Sequence, residues 1–298
     1  MHYLITGGTG LIGSKICQKL TADGHAITVL SRRRERVLRC CGPSVTAISH
    51  LNEIDNSEHI DTVINLAGAP IADVRWTARR KQVLEQSRIQ LTEALVNWLA
   101  EREQKPKQLI SGSAIGWYGN QGKTVLNEKS GFKDDYAHQL CDKWESAAMN
   151  AQAVGIRVCV VRTGLVIAPH AGFLHRLLLP FKLGLGGPIG NGEQVMSWVH
   201  LEDIASLFIF LGTQPELTGI FNGTAPHPVT NAEFSQILAR QLHRPALITT
   251  PGWLLKPALG ELSQLLLGGQ HVLPEKACAA GFKFQYTVLE SALADVLQ

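Results

Sequence analysis

The residues whose types and spacing most clearly suggest chemistry form a glycine-rich segment near the start of the chain, Gly7-Gly8-Thr9-Gly10-Leu11-Ile12-Gly13. An apolar stretch at residues 3–6 precedes it, and a stretch with helical periodicity at residues 14–22 follows it. In such a strand–turn–helix unit, Gly7 permits a tight turn, Gly10 lets the backbone approach a ligand, and Gly13 lets helix and strand pack closely. N–H groups at the helix N-terminus then bind an anion, so the spacing predicts a site for a dinucleotide pyrophosphate. The alternative is a glycine-rich turn that binds no ligand.

A run of basic residues follows the next predicted strand, residues 26–30. Leu30 is followed by Ser31, Arg32, Arg33 and Arg34, and the first acidic residue comes only at position 35. Proteins that select NAD place a carboxylate here for the ribose hydroxyls. Guanidinium groups instead bind the 2′-phosphate of NADP by donating charge-assisted hydrogen bonds to it, so the three arginines favour NADP. The alternatives are a solvated basic patch and nucleic acid binding, which nothing else in the chain supports.

Strands and helices must alternate to position these residues. Apolar stretches predict strands, and helical periodicity predicts helices, with strands at residues 3–6, 26–30, 45–49, 61–66, 107–113 and 156–166 and helices at residues 14–22, 77–103 and 136–153. Strands separated by helix-length segments are typical of βαβ units. We therefore predict an α/β fold with a Rossmann-type, doubly wound parallel sheet.

The second half of the chain has a different texture and predicts a smaller substrate-side part. Residues 1–170 form the predicted Rossmann domain, to which residues 195–225 return with further strands and a helix. Residues 171–194 and 226–298 form the predicted C-terminal α+β part. Because ligands of open α/β sheets bind outside the carboxyl ends of the strands, this part is expected to cover the cleft. Its glycine-rich stretch, residues 184–192, is interpreted as a mobile flap or a phosphate cradle.

Composition excludes several classes of protein. Of 298 residues, 45% are hydrophobic and 18% charged, which is typical of a folded globular chain. Because 28 Lys and Arg nearly balance 25 Asp and Glu, no nucleic acid or anionic membrane is required as a partner. We expect no membrane span and no signal peptide. Six cysteines without CxxC or zinc spacing favour reduced thiols in a cytoplasmic protein. His170 and His175 lack the spacing of a metal pair, so no metal site is expected.

Several motifs resemble a known superfamily. TGGTGLIG at residues 6–13, NLAG at 65–68, SGSA at 111–114 and WVHLED at 198–203 resemble extended short-chain dehydrogenases/reductases, which include nucleotide-sugar epimerases and dehydratases. A more specific resemblance is to the YfcH-type epimerase-family branch with its C-terminal module. It is carried by Ser87-Arg88, LPFKLGLGGPIGNGEQ at 179–194, NGTAPHPVTNAEF at 222–234, and GELSQLLLGGQHVLP and GFKFQY in the tail.

The resemblance implies particular cofactor contacts. Thr9, Leu11 and Ile12 would line the pyrophosphate, and Ser31 and Arg32 would hold the 2′-phosphate. The adenosine and ribose side would lie against Leu66, Ala67 and Gly68. Arg88 and Arg162 are further candidate polar contacts, with surface charge and a core-edge ion pair as their respective alternatives.

The resemblance also implies a catalytic arrangement that this chain matches only in part. In the superfamily, a serine after the fifth strand holds the substrate carbonyl, and a Tyr-x-x-x-Lys pair transfers the proton because the lysine lowers the phenol pKa. Ser113 matches the serine and Tyr136 is the candidate phenol, but Leu140 stands where the lysine belongs. Lys143 lies two turns along the helix, roughly 10 Å away. Tyr118 is an alternative phenol.

The leading functional hypothesis is an NADP-dependent oxidoreductase or epimerase-like enzyme that acts on a small carbonyl or hydroxyl substrate. Related nucleotide-sugar enzymes bind the substrate phosphate through an arginine where this chain has Met196, which favours a smaller or less anionic substrate. The rival hypothesis is a non-catalytic NADP-binding protein that senses redox state. The resemblance also allows a homodimer.

Overall fold

The computed structural model describes residues 1–169 and 171–298, so His170 lies outside the described residues. Within these ranges the strands are β1 (His2–Thr6), β2 (Ala26–Leu30), β3 (Thr46–Ile48), β4 (Thr62–Asn65), β5 (Gln108–Ala114), β6 (Val125–Leu126), β7 (Arg157–Thr163), β8 (Leu165–Ile167), β9 (Val195–Met196), β10 (Trp198–His200), β11 (Gly219–Gly223), β12 (Val229–Thr230) and β13 (His271–Val272). The α-helices are α1 (Leu11–Ala22), α2 (Arg34–Cys41), α3 (Ala78–Glu85), α4 (Leu91–Ala100), α5 (Tyr136–Met149), α6 (Gly172–Lys182), α7 (Leu201–Thr213), α8 (Asn231–Gln241), α9 (Gly252–Leu259), α10 (Gln264–Leu267), α11 (Glu275–Ala279) and α12 (Leu289–Val296).

Seven of the strands form one parallel sheet in the order β3-β2-β1-β4-β5-β7-β11. The strand order reverses between β1 and β4, and a crevice for ligands opens at the carboxyl ends of strands at such a point. Ile5 lies opposite Val29 on one side and Ile64 on the other, and all three side chains are fully or almost fully buried. Continuous burial is expected of parallel strands that are covered by helices on both faces. The predicted Rossmann-type sheet is confirmed.

Helices cover the two faces of the sheet with separate apolar cores. On one face, Ile16 and Leu20 of α1 pack with Phe208 of α7. On the other, Leu95 of α4 and Ala148 of α5 pack against the central strands. A third core, built around Trp198, Phe234 and Leu293, joins β10 to helices α8 and α12. Residues 195–223 thus contribute β11 to the main sheet and also contact the C-terminal segment, while the predicted division into two parts stays a prediction.

Two predicted elements are divided in the structure. The apolar stretch at residues 156–166 breaks at Gly164, where a Cβ would lie 2.4 Å from the Ser197 carbonyl oxygen. After this close approach the chain leaves the main sheet, and β8 pairs with β10 instead. The long helix predicted at residues 77–103 is interrupted by a π-helical turn, Gln86–Gln90. Such turns insert an extra residue and redirect neighbouring side chains, often at functional sites.

No helix within residues 1–169 or 171–298 has both the length and the apolar character to cross a membrane.

The turn between β1 and α1 depends on two glycines. Gly7 has φ +70°, and a Cβ there would lie 2.6 Å from the Leu66 carbonyl group. A Cβ on Gly13 would lie 2.3 Å from the Gly7 carbonyl oxygen. Neither contact is compatible with a side chain, because backbone atoms are the neighbours that would have to move. The glycines therefore let the first turn of α1 lie directly against the ends of β1 and β4.

We expect Gly13→Ala to lower the free energy of unfolding by about 1–3 kcal/mol, as overpacking typically does. Gly131→Ala is the matched control, since in the described part of the chain a Cβ at Gly131 would meet nothing within 4 Å. Urea denaturation of both variants measures the difference. Equal stability of the two variants would contradict the close packing of Gly13.

Candidate functional site

The N-terminus of α1 is shaped to receive an anion. Gly10 is the N-cap residue, and it has no side chain that could accept hydrogen bonds from the first turn. The first N–H groups of an α-helix have no intrahelical acceptor and carry the positive end of the helix dipole. The N–H of Gly10 itself donates to the Gly7 carbonyl oxygen at 2.9 Å, which closes the turn. Thr9, Leu11 and Ile12 therefore surround a short, open turn where a pyrophosphate would fit.

The end of β2 presents a basic turn beside this site. The Ser31 N–H donates to the Ile48 carbonyl oxygen at 2.9 Å, which extends the pairing of β2 with β3. Arg34 is paired with Glu53 and also donates to Ser49. Arg32 is exposed, and among the described residues no carboxylate forms an ion pair with it. The guanidinium of Arg32, rather than that of Arg34, is thus available for a phosphate.

A buried polar network holds the loop after β4. The Thr6 hydroxyl donates to the Asn65 amide oxygen at 2.7 Å, and Asn65 donates to Thr92 and Ser111 at 2.8 and 3.1 Å. The same Thr6 oxygen accepts from the N–H groups of Leu66 and Ala67 at 3.2 and 3.1 Å. These bonds join the carboxyl ends of β1, β4 and β5. They fix the backbone that was predicted to lie along the adenosine and ribose side.

Arg88 reaches the same loop from the π-helical turn. Its Nη2 donates to the Ala69 carbonyl oxygen at 2.9 Å, and its guanidinium lies 5.3 Å from the ring centroid of Trp144. A Cβ on Gly68 would lie 2.9 Å from the guanidinium carbon, so a side chain there would displace the guanidinium from the loop. Burial lowers the Arg88 pKa. No ion pair to Arg88 occurs in the described ranges, which leaves a half-buried positive charge beside the loop after β4.

Ser113 lies in a buried group of charged and polar side chains. Its hydroxyl donates to Glu145 Oε1 at 2.6 Å. Arg162 donates to both oxygens of the same carboxylate, from Nε at 2.9 Å and from Nη2 at 2.8 Å. Ser113 and Arg162 are direct partners in the register of β5 and β7, so their side chains share a face of the sheet. All three residues are at most 6% exposed. Removing one partner of such a pair typically costs about 3–5 kcal/mol.

The structure thus places Arg162 in an ion pair with Glu145, and the Trp117 ring centroid lies 3.4 Å from its guanidinium carbon. The contact of Arg162 with a cofactor stays a prediction.

Helix α5 turns a face without a phenol or an ammonium group towards Ser113. Ala137, Cys141 and Glu145 follow one another at four-residue intervals, which puts them on one side of the helix. A Cβ on Gly116, just after β5, would lie 3.2 Å from Ala137 Cβ and 3.8 Å from Cys141 Sγ. Burial raises the pKa of the Cys141 thiol to about 12. The side of α5 that Glu145 joins to Ser113 thus carries an alanine, a neutral thiol and a carboxylate.

Tyr136 lies on a different side of α5. Its hydroxyl donates to the Lys81 carbonyl oxygen at 3.3 Å, its ring packs edge-on against Trp76, and the Lys81 ammonium lies 4.3 Å from the ring centroid. Desolvation by burial raises the Tyr136 pKa to about 12. Among the described residues no hydrogen bond links Tyr136 to Ser113. Tyr136 as the catalytic phenol therefore stays a prediction.

Tyr118, the alternative phenol, is fully buried. Its hydroxyl, which has a single hydrogen to donate, lies 2.8 Å from the Asn222 amide oxygen and 3.0 Å from the Asn127 carbonyl oxygen. Burial raises its pKa. These bonds tie the turn after β5 to β11, which is a structural role.

A cleft of about 360 Å³ separates this turn from the C-terminal segment. One wall contains Asn120 and residues 133–135, and the other contains Lys256, Ser263, Gln264, Leu267 and Gly268. The glycine-rich stretch at residues 184–192 packs closely rather than standing free. A Cβ on Gly187 would lie 2.4 Å from the Ile248 carbonyl oxygen, and one on Gly186 would meet the ring of Phe181 at the same distance.

Glu145 is the site residue that sequence reasoning missed. The sequence contains a sign of its role, because this acidic residue lies on the otherwise apolar, buried side of α5. A carboxylate at such a position is rarely buried without a partner. The partner, Arg162, comes from β7 and cannot be identified from spacing along the chain.

Comparisons with known proteins agree with this architecture. Residues 3–222 match the NAD dependent epimerase/dehydratase family, and residues 250–296 match a domain of unknown function, DUF1731. The epimerase family protein SDR39U1 homolog, chloroplastic, of Arabidopsis thaliana is 36% identical over 304 residues, which cover 100% of this chain and 87% of the relative. The epimerase family protein YfhF of Bacillus subtilis is 36% identical over 302 residues, which cover 100% and 98%.

A solved structure is similar over its whole length. The crystal structure of human epimerase family protein SDR39U1 (isoform 2) with NADPH has 32% sequence identity and a TM-score of 0.89, and the match covers 99% of both chains. The family match spans more than half of the chain, and the relatives match it from end to end. The chain therefore belongs to the NAD-dependent epimerase/dehydratase family of the extended short-chain dehydrogenase/reductase superfamily, together with the C-terminal DUF1731 domain.

Proposed function

We propose that the chain binds NADP(H) and acts as an oxidoreductase or epimerase-like enzyme on a small carbonyl or hydroxyl substrate. One observation carries the proposal: an uncapped helix N-terminus, framed by Gly7 and Gly13, lies beside the exposed Arg32 at the end of β2. The first feature suits a pyrophosphate, and the second suits a 2′-phosphate. The human relative that was crystallised with NADPH supports the same assignment.

Each proposed cofactor contact has a place in this arrangement. The pyrophosphate would lie against Gly7, Thr9, Gly10, Leu11, Ile12 and Gly13, and the 2′-phosphate against Ser31 and Arg32. Leu66, Ala67 and Gly68 would line the adenosine and ribose side, with Arg88 as a further polar contact and Arg162 held behind the site by Glu145. When bound there, NADPH would donate a hydride to the substrate and NADP⁺ would accept one from it.

Ser113 is the proposed residue for the substrate carbonyl or hydroxyl. Its position at the carboxyl end of β5 agrees with this role, since this is the edge of the sheet where ligands bind. In the present structure its hydroxyl hydrogen is directed to Glu145. The serine oxygen therefore can accept a hydrogen bond from a substrate hydroxyl without losing the bond to Glu145, whereas donation to a substrate carbonyl requires that this hydrogen turns away from Glu145. Glu145, fixed by Arg162, orients the serine.

Tyr136 is the proposed acid in the reductive direction. With its pKa raised to about 12, the phenol stays protonated through the neutral and mildly alkaline range, so it is suited to donate rather than accept a proton. Donation requires that the hydroxyl first leaves the Lys81 carbonyl oxygen.

A second candidate function is a non-catalytic NADP(H)-binding protein that senses redox state. It is favoured by the face of α5 towards Ser113, where Ala137 and Cys141 supply neither an ionisable phenol nor an ammonium group. NADPH-dependent turnover of any member of a panel of small aldehydes and ketones would exclude this alternative. NADPH binding without turnover across the panel would support it.

We expect Arg32→Ala to raise the Kd for NADPH about tenfold to a hundredfold, because hydrogen bonds to charged groups contribute about 1.5–3 kcal/mol. Affinity for NADH should not change, since NADH has no 2′-phosphate. Nicotinamide fluorescence titrations measure both constants. Arg39→Ala, an exposed arginine on α2, is the control. A loss shared equally by NADH and NADPH would argue against Arg32 as the 2′-phosphate residue.

We expect Ser113→Ala to lower kcat for carbonyl reduction by about 10²–10³-fold without changing NADPH affinity, since it removes a preorganised polar contact at the reacting group.

We expect Tyr136→Phe to lower kcat for carbonyl reduction about 10²-fold, since it removes the proposed proton donor. In the wild type, reductive turnover should not decline through mildly alkaline pH on account of Tyr136, because ionisation sets in only towards pH 12. Full activity of Tyr136→Phe would remove Tyr136 from the mechanism.

A further inference from the structure

Two thiols from different helices meet beneath the glycine-rich turn. Cys17 lies in the second turn of α1, and Cys41 is the last residue of α2. Both belong to the apolar core on that face of the sheet and are 0% and 2% exposed. Both sulfur atoms lie against Gly8 of the glycine-rich turn. The fold thus brings together two cysteines that lie 24 positions apart along the chain.

The thiol pair is in direct contact with the turn. Cys41 Sγ donates to the Gly8 carbonyl oxygen at 3.2 Å. A Cβ on Gly8 would lie 3.5 Å from Cys17 Sγ and 2.8 Å from a methyl group of Val29. Gly8 therefore packs against the two sulfur atoms and against Val29 of β2. A change in the covalent bonding of these sulfur atoms therefore displaces the turn that frames the proposed pyrophosphate site.

The two thiols are not equivalent. The hydrogen bond from the Cys17 thiol lowers the pKa of Cys41, and the same bond raises the pKa of Cys17. A thiolate is the reactive form of cysteine, so Cys41 is the more nucleophilic partner. Burial instead raises the pKa of Cys141 to about 12 and that of Cys159 to about 11, which makes these thiols less reactive.

Helix α2 is the element that can expose Cys41. It has eight residues, of which only Val37 and Cys41 are buried, and it is followed by Gly42 with φ +104°. Short segments with few buried side chains open at a low free-energy cost relative to global unfolding. Opening of the last turn of α2 would admit a small oxidant.

We propose that Cys17 and Cys41 form a reversible disulfide, and that this modification weakens dinucleotide binding at the adjacent glycine-rich turn. The effect on binding rests on the proposed function. The formation of the disulfide does not.

The oxidant is a hydroperoxide. The Cys41 thiolate attacks the terminal oxygen of ROOH, which gives a sulfenic acid at Cys41 and releases ROH. The Cys17 sulfur then displaces the sulfenic oxygen as water, so two thiols and ROOH yield one disulfide, ROH and H₂O. Two S–H bonds are lost, including the one that donates to the Gly8 carbonyl oxygen. The carbonyl then faces sulfur lone pairs, and the turn must shift.

The test compares reduced and peroxide-treated full-length protein. After treatment with hydrogen peroxide and alkylation of the remaining thiols, we expect non-reducing peptide mapping to link Cys17 to Cys41. NADPH affinity should fall about tenfold, because the shifted turn would lose one to two hydrogen bonds to the dinucleotide. A thiol reductant should restore the affinity. Cys41→Ser, which lacks the attacking thiolate, should form no link, and its NADPH affinity should be the same before and after the treatment.

Cys40→Ser is the matched control, because Cys40 neighbours Cys41 and would be in the same tryptic peptide. We expect this variant to form the link and to lose affinity as the wild type does. Absence of a Cys17–Cys41 link in the wild type would overturn the proposal, and so would a complete link with unchanged NADPH affinity. If reduced protein binds no NADPH, the proposed function fails, whereas peptide mapping still decides whether the disulfide forms.

Discussion

The close approach of α1 to the ends of β1 and β4 is the constraint on which the rest of the site depends. It is possible because a Cβ is absent at Gly7 and Gly13, each of which faces backbone atoms at less than 3 Å from where a Cβ would lie. Because of this approach, the N-terminus of α1 lies at the point where the strand order reverses. The positive end of the helix dipole therefore points into the crevice at the carboxyl ends of the strands. It also seats Gly8 on the sulfur atoms of Cys17 and Cys41, which couples the turn to the core behind it.

The carboxyl edge of the sheet carries a second constraint, the buried charges of Glu145 and Arg162. Two oppositely charged groups are stable there because they pair through two hydrogen bonds and because Ser113 donates to the same carboxylate. Trp117 covers the guanidinium and shields the pair from solvent. The ion pair joins α5 to β7, and it orients the Ser113 hydroxyl as a consequence. A group that stabilises the fold thereby also sets the hydrogen-bonding direction of the proposed substrate contact.

The face of α5 explains how this chain departs from its superfamily. A Tyr-x-x-x-Lys pair works because both residues share a helix face and the ammonium group lowers the phenol pKa. Here the face towards Ser113 carries Ala137 and Cys141, while Tyr136 is turned to Lys81 and has a raised pKa. A positive charge near this region comes instead from Arg88, on the π-helical turn of a different helix. The proposed cofactor contacts and the proposed proton donor therefore lie on separate elements of the structure.

The sequence by itself determined the parallel α/β sheet, the glycine-rich turn between β1 and α1, and the basic residues after β2. These features depend on residues that are close along the chain: apolar runs, glycines three residues apart, and arginines directly after a strand. The break at Gly164 and the π-helical turn were missed, because periodicity cannot register a close approach from Ser197 or one inserted residue. Only the tertiary structure decided which side of α5 faces Ser113, that Glu145 pairs with Arg162, and that Cys17 meets Cys41. Each of these is a contact between residues on separate elements, whose partners are chosen by packing rather than by spacing.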